Sequence, residues 1–202
     1  MKNNQKVITN IVLAVAVIAI IGIAGYSAWS KKSNTNITEP LSTKADTSNW
    51  KTYTNTKYGF EFKYPQDWVL ETNYQSDENL IAVISSPETI KVRRDCYEGC
   101  GPDILFSYYS SISEIHNVKA NNIVVKNLSD YVYKSILVSN PQKITFAGYN
   151  AYEVTKLGYS VYFTIMIEKD GHIYQILFGN DGSKQELDET ENKILSTFKF
   201  TK

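Results

Sequence analysis

Between Val7 and Trp29 the chain carries no charged side chain, and Ile11 to Ala24 is apolar throughout apart from Gly22. A segment like this leaves few structural choices. In hydrocarbon every backbone N–H and C=O must find its partner within the segment, which a helix alone can do for one short stretch. At about 1.5 Å per residue, roughly 20 residues cross the apolar layer. Tyr26 and Trp29 sit near the far end, where amphipathic rings prefer the interface, and Lys31 and Lys32 close it. The expectation is a single transmembrane helix over residues 7–29, with the lipid bilayer as its partner and residues 1–6 as a short N-terminal tail. A cleaved signal peptide is the competing reading. Gly22-Ile23-Ala24 offers small residues for cleavage, but the apolar run is long for that role. A lipoprotein signal needs a cysteine just after the run, and none stands there. Lys2, Lys6 and the amino terminus on one side nearly balance Lys31 and Lys32 on the other, so lysine counting leaves the orientation open.

Residues 30–49 are built from Lys, Ser, Asn, Thr, Glu and Pro, with Ile37 and Leu41 as the sizeable apolar side chains. Such a stretch cannot bury enough surface to offset its ordering entropy, so it reads as a flexible tether. Residues 50–202 then form the folded domain. Lysine plus arginine and aspartate plus glutamate both number 21. That balance argues against a nucleic-acid partner, which needs a basic face against phosphates.

Period-two patterns dominate the domain. Tyr58, Phe60, Phe62 and Tyr64 alternate with Gly59, Glu61 and Lys63, a strand with one aromatic face that Pro65 ends. Trp68 is expected to pack back on the core. Leu80 to Ile84 and Ile104 to Tyr109 read as further strands, the first stopped at Ser85-Ser86-Pro87. Leu128, Tyr131, Val132, Ser135 and Ile136 fall at helical spacing behind Asn127 or Ser129 as N-cap, and that helix ends before Asn140-Pro141. Ile144 to Phe146 and Ala151 to Thr155 read as strands paired about Gly148-Tyr149-Asn150. Tyr159 to Glu168 and Ile173 to Phe178 flank Asp170-Gly171, the favoured centre of a type I′ turn. The first of these two strands is apolar on both faces, which predicts a central strand covered on both sides. A last helix is expected after Gly182-Ser183, with Leu187, Ile194, Leu195 and Phe198 as its buried stripe. The 15 tyrosines suit sheet packing.

The string Tyr53 to Trp68, with Tyr58-Gly59-Phe60-Glu61-Phe62, Tyr64-Pro65 and Trp68, resembles the opening of PsbP-like domains. So do the stretch Gly148 to Glu153, the long hairpin and the closing Ile194-Leu195-Ser196-Thr197-Phe198. The resemblance spans residues 50–202. It implies an α+β fold, an antiparallel β-sheet flanked by helices in a PsbP-like α/β/α sandwich, here preceded by one transmembrane helix. The oxygen-evolving role of the photosystem protein does not carry over, because no plastid transit peptide is recognisable and no photosystem-contact residue matches.

Cys96-Tyr97-Glu98-Gly99-Cys100 holds the only two cysteines. In an oxidising compartment they would pair and stiffen the loop before the strand at Ile104. The ring is small, so its stabilisation is on the order of 2 kcal/mol. A redox pair, which usually has Cys-x-x-Cys spacing, a metal site helped by His116, and two free cytosolic thiols are the alternatives. Arg93 and Arg94 precede that loop as candidates for an acidic or phosphate partner, against the plainer reading of a solvated edge. The histidines are His116 and His172, with nothing to bring them together. No nucleophile elbow, zinc-protease helix or phosphate-binding glycine loop is present, and no cofactor is expected. Asn180-Asp181-Gly182-Ser183 fails as a calcium loop and reads as a helix N-cap.

Two functions remain in play: a non-enzymatic extracytoplasmic binding or assembly module, alone or with an envelope protein partner, and an extracytoplasmic hydrolase with a dispersed site. Both predict that Cys96 and Cys100 are oxidised in cells and that a membrane-impermeant protease cuts within residues 30–49 on intact cells. Thiols that alkylate only after lysis, together with protease resistance, would put the domain in the cytoplasm.

Overall fold

A computed structural model describes residues 46–74, 78–95, 101–115, 124–158, 161–179 and 182–202. The apolar segment 7–29, the tether up to residue 45, Cys96, Cys100, His116 and Asn180-Asp181 lie outside the described residues. No helix among the described residues is long and apolar enough to cross a membrane.

The aromatic alternation makes a strand, and the strand makes a small sheet. β2 (Phe60–Tyr64) buries Phe60, Phe62 and Tyr64 and turns Glu61 and Lys63 outward. It lies between β1 (Lys51–Asn55) and the short β10 (Lys199–Phe200), both antiparallel to it. The larger sheet runs β3 (Val69–Glu71), β4 (Leu80–Ser85), β5 (Ile104–Tyr109), β9 (His172–Phe178), β8 (Val161–Lys169), β7 (Tyr149–Leu157), β6 (Val138–Phe146), antiparallel throughout. β8, apolar on both faces, is indeed interior to the sheet. Two type I′ hairpins fix the register of its second half. Asp170 and Gly171 have φ of 53° and 79°, and Ala147 and Gly148 have 49° and 87°.

One face of this sheet meets the small sheet. Phe62 stacks on Phe106 of β5 with ring centroids 4.3 Å apart, and Phe60 stacks on Phe198 at 5.4 Å. Ile104, Ile165, Ile176 and Phe178 complete that core, and Trp68 is buried against it. α3 (Glu189–Thr197) lies beside β2, with its Thr197 hydroxyl accepting the Lys63 N–H. The layer expected to be helical is therefore a sheet and a helix side by side.

The opposite face carries α2 (Leu128–Lys134), which Asn127 caps by accepting the Asp130 N–H. Leu128, Tyr131 and Val132 pack on Tyr152, Val154, Met166 and Ile173. α2 ends sooner than its spacing predicts. Ser135 is already extended, Ile136 is 80% exposed, and β6 runs through Asn140-Pro141. A register shift between Ser139 and Gln142, with Asn140 at φ 51°, accommodates the proline in this edge strand.

Two helical features depart from the pattern reading. Ser86-Pro87 does end a strand, but it also opens α1 (Pro87–Asp95): Ser86 Oγ accepts the Thr89 N–H, and buried Asp103 accepts from Ser86 N–H and the Thr89 hydroxyl. The last helix begins at Asp188, whose capping box with Glu191 outcompetes Ser183; Ser183 caps only a 3-10 turn, Lys184–Glu186. Gly179 is required where β9 leaves the sheet, since a Cβ there would lie 2.2 Å from the Pro102 carbonyl oxygen.

Phe62→Ala should cost about 3–5 kcal/mol, because the ring is fully buried and stacked. Urea unfolding followed by tryptophan fluorescence reads this; a loss below about 1 kcal/mol would mean the aromatic layer does not organise the core.

Candidate functional site

α2 covers only part of its face of the large sheet. Strand alternation sends Leu105 and Ser107 of β5 and Gln175 and Leu177 of β9 to that face, and the register sets Ser107 opposite Gln175 and Leu105 opposite Leu177. Lys156 of β7 pairs with Tyr162 of β8 on the same side. Where α2 stops, these side chains floor a cavity of about 410 Å³. Its apolar wall comes from Leu80, Leu105, Ile115, Leu137, Leu157 and Leu177. Its polar groups are Ser107, Tyr109, Tyr131, Lys156, Tyr162 and Gln175.

Two of the polar groups are tied to each other. Lys156 Nζ donates to Gln175 Oε1 at 3.1 Å, and Gln175 is itself buried. The ammonium is thus positioned across two strands by an amide on a rigid sheet. Among the described lining residues Lys156 is the one cation, and neither Asp nor Glu occurs. Tyr131 is fully buried, and its hydroxyl makes no hydrogen bond of normal geometry. Burial pushes its phenol pKa up; the Ser135 hydroxyl, one turn along, acts in the opposite direction. An apolar enclosure with a few fixed polar groups is the usual form of a small-molecule site.

A second notch, of about 240 Å³, gathers Lys57, Lys169, Lys202, His172, Tyr108 and Tyr174 at the β8–β9 turn. Its cations are already engaged. Lys169 pairs with Asp170, whose hydrogen bond holds the ammonium pKa above its ordinary value, Lys202 donates to the Thr56 carbonyl, and Lys57 lies over the Tyr58 ring. His172 Nδ1 lies 2.9 Å from the Ser110 carbonyl oxygen and 3.0 Å from the Tyr108 hydroxyl. The carbonyl can only accept, so Nδ1 carries the proton in that contact.

Of the residues singled out from sequence, Arg93 bonds Glu71 and Ser85 at 3.2 Å each and lies over Tyr74, tying α1 to the sheet, while Arg94 is exposed. Neither is among the described residues that line the cavity. The cavity residues went unnoticed in the sequence. Their signal was polar side chains inside otherwise apolar central strands: Ser107 in β5 and Gln175 in β9.

The fold and cavity define an antiparallel-sheet domain with an amphipathic pocket on one sheet face. The family model described as PsbP-like protein matches residues 7–200, and the chain belongs to that family. No curated protein matches the chain. Among solved structures, the solution structure of cyanobacterial PsbP (CyanoP) from Synechocystis sp. PCC 6803 is similar at 15% identity. That match covers 75% of this chain and 92% of that one, with a TM-score of 0.42. A crystal structure from Bacteroides thetaiotaomicron is similar at 11% identity, covering 76% of this chain and 49% of that one, with a TM-score of 0.40.

Tyr131→Phe removes a buried hydroxyl that has no well-formed partner, so it should raise stability by about 1 kcal/mol. A loss of about 1 kcal/mol or more in urea unfolding would show that the hydroxyl is satisfied.

Proposed function

We propose that this chain is a non-enzymatic binding module held at a membrane by residues 7–29, displayed outside the cytoplasm on the tether 30–49, with the cavity beside α2 as its ligand site. The observation that carries the reading is the cavity itself: an apolar enclosure floored by rigid sheet, with a few converging polar groups. Support for the anchor comes from the uncharged segment and from a family match that takes in residue 7 onward. The cysteine pair supports display in an oxidising compartment. Catalysis gains less: neither a histidine nor a carboxylate is among the described lining residues, and His172 is held elsewhere by Ser110.

A neutral hydrocarbon carrying a photoactivatable diazirine tests the site on the full-length chain in lipid nanodiscs. Peptides containing β5 and β9 should be labelled alongside residues 7–29, and Ser107→Trp, which fills the cavity, should remove the label from those strands alone. Label confined to residues 7–29 in the unmodified chain would overturn the binding reading.

A further inference from the structure

We infer that the domain rests on the lipid surface of the bilayer through an apolar margin formed by Val124, Ile136, Leu157 and Val161; the inference rests on the reading of residues 7–29 as a membrane anchor. These side chains are 80%, 80%, 40% and 49% exposed. They stand together. Leu157 and Val161 are cross-strand partners where β7 turns into β8. The Leu157 N–H donates to the Leu137 carbonyl at 2.9 Å, which brings the loop holding Ile136 alongside. Lys134, just before that loop, reaches the Val124 carbonyl with its ammonium. Single exposed aliphatic residues are ordinary on a protein surface, but a contiguous group of them marks a place where something apolar docks.

The occupant follows from where the chain enters the domain. The β1–β2 turn lies at the other end of the large sheet, beside the β8–β9 turn. There the Tyr174 hydroxyl donates to the Tyr58 carbonyl, and Lys57 shares a notch with Asp170 and His172. β1 therefore begins away from that turn. Its Lys51 pairs with Tyr64, and the chain runs on from Tyr64 to Val69, which pairs with Ser85. Ser85 closes β4 next to Ile84, Ile84 pairs with Ile104, and Ile104 pairs with Phe178, the last residue of β9. That is the end of the sheet at which β7 turns into β8. The tether and the apolar margin thus leave the domain at the same end.

As a flexible chain, residues 30–49 span ~25 Å, so they keep this end near the lipid surface. The far end carries Lys57, Lys169, Asp170 and Lys202 instead. Tethering makes the contact intramolecular, and a small apolar margin then suffices.

The test uses the full-length chain in phosphatidylcholine nanodiscs doped with a phosphatidylcholine that carries a diazirine on its acyl chain. Label should fall on residues 7–29 and on peptides holding Ile136, Leu157 and Val161. It should be about tenfold weaker on the peptide holding Asp170 and Gly171 at the far end. Ile136→Glu combined with Val161→Glu should lower label at the margin about tenfold and leave that on residues 7–29 unchanged. Both positions are exposed, so the urea midpoint should stay that of the unmodified chain. Ser107→Trp, which fills the cavity, should leave label at the margin in place. Label confined to residues 7–29 would overturn the docking and leave the anchor standing. Equal label at both ends would overturn it as well. Margin label that Ser107→Trp abolishes would assign the lipid to the cavity and overturn the docking. An unlabelled margin whose double variant splits a dimer would give the margin to a second copy of the chain. No label on residues 7–29 would overturn the anchor and the docking with it.

Discussion

The rest of the domain depends on the stacked aromatic layer between its two sheets. Phe60 and Phe62 come from one strand, Phe106 from the middle of the large sheet, and Phe198 from the end of α3. Rings of this size bury more area than any other side chains, and offset stacking adds to the burial. β2 offers Phe60 and Phe62 on alternate positions, and with β1, β10 and the last helix it packs against this face of the seven-stranded sheet. The terminal helix is drawn in by the same contacts, and its Thr197 hydroxyl bonds β2.

On the opposite face α2, of seven residues, packs together with Ile112, Ile115 and Val125. So short a helix has little stability of its own and is held by packing. Leu128, Tyr131 and Val132 supply the packing, and the Asn127 cap with Glu168 of β8, which accepts the Leu128 N–H, fixes its start. A helix that stops at Lys134 cannot reach across seven strands. Among the described residues the cavity lies beyond the end of this helix, where polar residues of β5, β9 and β7 stand. Ser107 and Gln175 are buried there, an arrangement that polar groups tolerate only with partners, and Gln175 accepts from Lys156.

Polar side chains in central strands thus mark a place where the covering layer is incomplete. Lys156 and the buried Gln175 stand there, joined by a 3.1 Å hydrogen bond, beside the partly exposed Leu157.

The sequence by itself determined the family resemblance, most of the long strands and the hairpin at Asp170-Gly171, while the short β1, β3 and β10 went unread and the β6–β7 turn falls at Ala147-Gly148 rather than around Gly148-Tyr149-Asn150. Their signals are local: period-two alternation in Phe60 to Tyr64 and Ile104 to Tyr109, and Asp170-Gly171, whose positive φ values only a few residue types accept. For the cap of α2 the spacing offered Asn127 or Ser129, and the structure selects Asn127. The choice of Asp188 over Ser183 for α3 was less so, because two capping boxes compete within a few residues and packing of Leu187 and Ile194 selects between them. Tertiary structure alone decided the cavity. Lys156 and Gln175 are 19 positions apart and come from strands separated by β8; only the antiparallel register lets one reach the other. Alternation tells which residues share a face of their own strand, but which strands stand together, and how far a helix covers them, is set by packing across the whole sheet.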